Sequence, residues 1–225
     1  MISKIPVMID VNTTVDLIFR ARVDVDDSGI GANSEEILRA ISNMPVDQLL
    51  SIVDSVPSRN RFLPKDIPQF GKVDTLVDVP IVFFQTGLSK LNYAQLGVSL
   101  SNNPDISIPA ATKYGENHGK AVSMLGLLDL EDNAFHLSKL GKSFNGLNKN
   151  EQHEVTVKLF MRVPLIQELL KRAKNSKVNG YDLMNELTDS TKKRRGSNVK
   201  GVLNAFQAYG NSDMNSRIKN IYWSI

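Results

Sequence analysis

Residues 109–137 read PAATKYGENHGKAVSMLGLLDLEDNAFHL, from Pro109 to Leu137. Proline suits the first turn of a helix, where its missing N–H has no partner to lose. Glycine suits the left-handed position just past a helix end. The spacing therefore predicts a long helix from Pro109 through Leu125, stopped by Gly126. Leu127–Leu130 and Ala134–Leu137 then read as two short strands, with Glu131-Asp132-Asn133 as the tip of a hairpin. On the helix, Ala110, Ala121, Met124 and Leu125 supply the apolar contacts. Lys113, Asn117 and Lys120 fall four and three residues apart, which gives one polar, basic face.

Upstream, Asn92 is expected to cap a helix containing Tyr93, Leu96 and Val98, and Asn102-Asn103-Pro104-Asp105 reads as a turn. Helix, turn, helix and a two-stranded hairpin is the outline of a winged helix, in which the helix before the hairpin enters the major groove of DNA. Asparagine suits adenine, and lysine reaches phosphate or guanine. Tyr114 and His118 lie on a neighbouring face and suit backbone contacts or half-buried packing.

A second basic feature follows. Thr191-Lys192-Lys193-Arg194-Arg195-Gly196-Ser197-Asn198 runs into Val199, Val202, Leu203 and Phe206 at helical spacing. Cations at a helix start oppose the macrodipole, so their accumulation there points to an anion. Lys192, Lys193, Arg194 and Arg195 are candidate phosphate contacts, and Ser197, Asn198 and Lys200 candidate base contacts. Lys139 and Lys142, just past the hairpin, are further phosphate candidates. The acidic tip Glu131-Asp132 argues against a conventional wing in a groove. Gly196 and Gly201 weaken the helix, which fits close backbone approach to a partner or tight packing.

The remaining C-terminal pattern expects a helix from Asn148 or Asn150, interrupted at Pro164 and continued by Leu165, Ile166, Leu169 and Leu170. Asn179 is expected to cap a helix with Leu183, Met184 and Leu187. Thr188-Asp189-Ser190 caps the basic helix, Gly210 ends it, and Arg217–Trp223 reads as a closing strand. This repeats the same outline with a shortened hairpin. The expected fold class is mainly α with small β-hairpins (α+β): tandem winged-helix units at 81–148 and 149–225 after a small α-rich N-terminal domain, 1–80.

In that N-terminal part, Asn12-Thr13-Thr14 suits a cap for a short helix through Arg22, although Arg20–Val25 alternates like a strand. Ser34 is the expected N-cap of a helix bearing Ile37, Leu38 and Ile41. Pro45 is the expected first residue of the next helix. Residues 57–80, containing Pro57, Pro64, Pro68 and Pro80, read as an irregular connector ending at a domain boundary near 80, and Ile81–Phe84 as a short strand or buried turn. Asp24, Asp26, Ser28, Gly29 and Glu35 have calcium-loop spacing. Gly31 at the usual branched position and the use of Ser34 as a cap favour a plain acidic turn.

Charge divides the chain. Residues 1–80 carry 8 Lys/Arg and 12 Asp/Glu, net −4, and residues 81–225 carry 19 and 12, net +7. That asymmetry suggests a basic binding half and an acidic half with another task, such as holding a protein partner or a second copy of the chain. Cysteine is absent, which removes disulfides, thiolate catalysis and Cys-ligated zinc. The apolar runs are too short to cross a membrane, and the first ten residues do not resemble a signal peptide. His118, His136 and His153 show no metal spacing, and no glycine-rich phosphate loop is present. The expectation is a cytoplasmic, nucleoid-associated protein that binds double-stranded DNA without cofactor, metal or recognisable catalytic constellation.

Three stretches carry a family resemblance. Phe135-His136-Leu137-Ser138-Lys139-Leu140-Gly141 resembles the wing-and-helix junction of DNA-binding winged helices. Tyr114–Ala121, leading to Leu125-Gly126-Leu127-Leu128, resembles their recognition helix. Ser190–Val199 resembles a stretch found in winged-helix modules of type II restriction systems and in the AAA-associated C-terminal domain. The resemblance covers residues 85–225. It implies sequence recognition in a restriction or defence system, with the cutting chemistry on another chain. Two other classes stay open: a protein-interaction module, and a metal-dependent nuclease using Asp10, Asp24, Asp26 or Glu35.

Overall fold

The computed structural model describes residues 10–21 and 33–225. Helix α1 (Val11–Ala21) is capped by Asp10, whose carboxylate accepts from the Thr13 amide at 3.0 Å and the Thr13 hydroxyl at 2.7 Å. The cap thus lies earlier than Asn12-Thr13-Thr14. Arg20 and Ala21 are helical, and the rest of the expected strand, with residues 24–32 of the calcium-like loop at 24–35, lies outside the described residues. Helix α2 (Ser34–Asn43) starts one residue earlier than expected. Asn33 is the extended cap residue and accepts from the Glu35 amide at 3.0 Å, so Ser34 is already helical. Helix α3 (Val46–Ser55) follows Pro45, which occupies the cap rather than the first turn.

Residues 56–72 form the connector, with one short 3-10 turn at Pro64–Asp66. The irregular stretch ends earlier than expected, because α4 (Val73–Thr86) runs straight through Pro80 and takes in Ile81–Phe84. An interior proline costs a helix about 3 kcal/mol. Leu76, Val77, Val79, Val82 and Phe83 are all buried on α4, and each contributes about 1.5–3 kcal/mol. Burial outweighs the proline. The boundary placed near residue 80 therefore falls inside a helix.

Next come β1 (Leu91–Asn92), α5 (Tyr93–Leu100), α6 (Ile108–Met124), β2 (Leu128–Glu131) and β3 (Ala134–Leu137). Asn92 and Gln95 form a reciprocal capping box on α5. Gly126 ends α6 with φ +78°, and Asp132 and Asn133 make a hairpin turn with φ +50° and +59°, the pairing of left-handed residues that a two-residue hairpin requires. The sheet is antiparallel in the order β1-β3-β2, with Leu91 opposite Phe135 and Leu130 opposite Phe135 on the other side. Helices α5 and α6 touch backbone to backbone. A Cβ on Gly97 would sit 1.8 Å from the Ala111 carbonyl oxygen, and one on Gly115 2.0 Å from that of Tyr93. The buried stripe of α6 is Ala111, Gly115, His118, Gly119, Ala121 and Val122, whereas Ala110 is exposed.

Beyond the hairpin, α7 (Lys139–Phe144) is capped by Ser138 and α8 (Lys149–Leu159) by Asn148. A 3-10 turn, Phe160–Arg162, leads to α9 (Pro164–Ala173), where Pro164 opens a new helix. After β4 (Val178–Asn179), Asn179 starts a 3-10 helix, Gly180–Met184, not an α-helix. The basic helix α10 (Asp189–Phe206) ends four residues before Gly210. The closing strand is mostly helix: α11 (Ser212–Asn220) takes Arg217–Asn220 and leaves only β5 (Ile221–Tyr222). Arg217 explains the change. Its guanidinium, 2% exposed, pairs with Asp213 one turn earlier at 2.9 Å and with Asp54 of α3 at 2.6 Å. The Asp213 pair needs a helix. Strand β5 pairs with β4 in parallel, so no second hairpin forms here.

The chain is therefore mainly helical with a small antiparallel sheet, an α+β arrangement. One continuous hydrophobic core runs from Val15 of α1 to Ile221 of β5 and joins both sides of residues 80 and 148. Among the described residues, no helix is long and apolar enough to cross a membrane.

Candidate nucleic-acid interface

The connector lies against both basic helices and is held there by side chains expected at a DNA surface. His118 of α6 is 2% exposed. Its Nε2 accepts from the Gly71 amide at 3.0 Å, and its Nδ1 lies 2.8 Å from the Tyr114 carbonyl oxygen. Burial pushes its pKa down, against a smaller upward pull from the Tyr114 carbonyl, so the neutral ring that can accept from Gly71 is favoured. Asn198 of α10 is 9% exposed and brackets Phe70. Its Oδ1 accepts from the Phe70 amide at 3.4 Å, and its Nδ2 donates to the Phe70 carbonyl at 2.6 Å. Arg195 donates to the carbonyls of Pro64 and Ile67. His118 and Asn198 are therefore clamps on the connector and do not present to a groove.

A cleft of about 440 Å³ lies between the connector, α6, β2 and the start of α10. It gathers Lys65 from the connector, Lys113, Glu116, Asn117, Lys120 and Met124 from α6, Leu130 from β2, and Arg195 from α10. Four cations thus face one carboxylate. Lys113, Asn117 and Lys120 share this wall, as their spacing predicts. Glu116 sits between the lysines, accepting from Lys113 at 2.8 Å and Lys120 at 2.7 Å. Those two hydrogen bonds hold its carboxyl below the usual range. Lys120 also lies 5.6 Å from the centre of the Tyr93 ring.

The other expected contacts separate into two groups. Lys193, Arg194 and Ser197 are exposed on α10, as are Lys139 and Lys142 on α7. None of these five lines the cleft. Tyr114 is half-buried with its ring 4.1 Å from that of His118, so it packs. Lys192 is tied back to Asp189 at 3.7 Å. Lys200 lies over the rings of Tyr181 and Trp223 at 5.7 and 5.2 Å. Ser197 and Lys200 line a different cleft of about 570 Å³, with Asp74 and His153.

Sequence reading missed Lys65 and Gln69, which line the cleft from a stretch read as an irregular connector, and Glu116, which breaks the basic pattern of its helix. The (i, i+3) and (i, i+4) spacing of Glu116 to Lys113 and Lys120 was a usable signal. Of the nuclease candidates, Asp10 caps α1 and Glu35 pairs with Arg39 at 2.9 Å. Asp24 and Asp26 lie outside the described residues, among which no cluster of three metal-ligating side chains occurs. No family model, curated protein or solved structure matches this chain.

Proposed function

We propose that this chain binds duplex DNA, with residues 73–137 acting as a winged-helix unit and α6 as the helix offered to the major groove. The observation that carries this reading is the gathering of Lys65, Lys113, Asn117, Lys120 and Arg195 around one open cleft along α6. The order α4-β1-α5-α6-β2-β3, with β3 central, supports it. Phosphate contact falls to Lys65, Lys193 and Arg194, and to Lys139 and Lys142 of α7, which follows the hairpin in the chain. The parallel β4-β5 pair has no hairpin to offer as a second wing. The C-terminal stretch then serves as a basic flank to one reading unit, and any strand cutting belongs to another chain.

The test is a fluorescence-anisotropy titration of random duplex DNA at several salt concentrations, with the wild type and the Lys193→Ala/Arg194→Ala double variant. The expected result is binding whose logarithm falls steeply with log[salt], with a slope shallower by about 1.8 in the variant, from about 0.9 per lost phosphate contact. No binding at low salt would remove the DNA reading. It would favour protein docking, to which the exposed Leu130 and the acidic tip Glu131-Asp132 beside the cleft are suited.

A further inference from the structure

Glu116 is out of place on a surface that meets DNA. A carboxylate near phosphates is repelled unless it accepts a hydrogen bond from the nucleic acid. Yet Glu116 lines the cleft beside Asn117, stays partly open at 24% exposure, and is kept ionised by the two lysines that flank it. A carboxylate oxygen accepts more than one hydrogen bond, so two ammonium donors do not exhaust it.

In the major groove the base-edge donors are the amino groups of cytosine and adenine. Adenine places an acceptor, N7, beside its amino group, and a carboxylate facing both is opposed by one of them. Cytosine presents its N4 amino group without such a neighbour. We propose that Glu116 is the specificity-determining residue of this interface and accepts from the amino group of a cytosine in a C·G pair. This rests on the DNA-binding reading above. The same carboxylate has a second effect. With no cytosine present it retains Lys113 and Lys120, which weakens contact with random DNA. At the correct site the lysines turn to phosphate or to the guanine edge. Discrimination of this kind combines an attraction to the right site with a penalty at the wrong one.

The experiment selects duplexes from a random library with the wild type, Glu116→Ala, Glu116→Gln and, as a control, Lys219→Ala. Anisotropy then measures the selected site against the same site with the assigned C·G pair changed to T·A. Wild type and Lys219→Ala, a change at an exposed position of α11 outside the cleft, are expected to require a C·G pair that Glu116→Ala no longer requires. Discrimination at that pair falls from about 5- to 150-fold, the span of one good base contact, to near unity. Glu116→Gln is expected to shift the preference toward A·T, because glutamine matches the paired donor and acceptor of adenine. Glu116→Ala should also bind random duplex more tightly, with a salt slope steeper by up to about 1.8 as two lysines are released. The same enriched sequence with Glu116→Ala as with the wild type would overturn the assignment and leave DNA binding intact. Wild-type binding with no sequence preference would overturn it equally. Absence of wild-type binding would remove both readings together.

Discussion

Replacing Asn198 by Ala separates a clamp from a base reader. Its side chain serves both polar groups of the Phe70 backbone, and Phe70 is itself only 7% exposed, with its ring 5.6 Å from Phe160. Alanine leaves both groups unserved. A buried polar group without a partner costs about 1–3 kcal/mol. The 3.4 Å bond to the Phe70 amide is long, so its loss belongs at the lower end, and the 2.6 Å bond to the carbonyl dominates. We expect a destabilisation of about 2–4 kcal/mol, or roughly 4–16 °C in Tm for a chain of this size. Urea unfolding should show a lower midpoint with an unchanged slope. Asn198→Asp should be at least as damaging, because it sets a carboxylate against the Phe70 carbonyl. DNA affinity, measured well below the transition, should stay within about twofold for Asn198→Ala, a change of well under 1 kcal/mol. Unfolding within about 0.5 kcal/mol of wild type, together with a tenfold loss of DNA affinity, would refute the clamp and return Asn198 to the binding face.

The two glycines of α10 should respond in opposite directions. A Cβ on Gly201 meets nothing within 4 Å, whereas one on Gly196 would lie 2.6 Å from the Tyr181 ring. Gly201→Ala is expected to stabilise by about 1 kcal/mol and Gly196→Ala to destabilise, with urea midpoints as the check. Stability should also fall below about pH 6.5, the ordinary histidine pKa. Burial depresses the pKa of His118 in the folded chain, so the unfolded chain takes up a proton first, and the loss grows as pH drops toward the folded value. Comparing pH-stability profiles of the wild type and His118→Gln should show the slope flattened in the variant; superimposable profiles would remove His118 as the cause. Finally, Asp54→Ala should cost about 3–5 kcal/mol by thermal unfolding, the range for breaking a buried pair. It strips the buried Arg217 of its 2.6 Å partner and Lys174 of another, and a cost below about 1 kcal/mol would mean that Asp213 alone satisfies Arg217.

Local chemistry made much of the central region legible. Asn92 and Asn148 cap helices because asparagine does so through its own side chain, whatever lies further away. Gly126 and Asp132-Asn133 stop a helix and turn a hairpin through backbone conformations that few residues adopt. The wall of Lys113, Asn117 and Lys120 followed from helical spacing alone. Where the decisive partner is distant, the local pattern misleads. Pro80 reads as a breaker, and the apolar face of α4 overrides it. Arg217–Trp223 reads as a strand, and a helix that buries Arg217 against Asp54, 163 positions earlier, replaces most of it. Arg195 and Asn198 read as DNA contacts, and His118 as a backbone contact or a half-buried packing residue, yet the partners of all three lie 47 to 131 positions away in the connector. A polar side chain on a helix face has the same sequence signature whether it meets water, DNA or another segment's backbone. Spacing determines which residues share a face; only the packed chain determines what that face meets, because burial and hydrogen bonding depend on segments that approach only when the core closes.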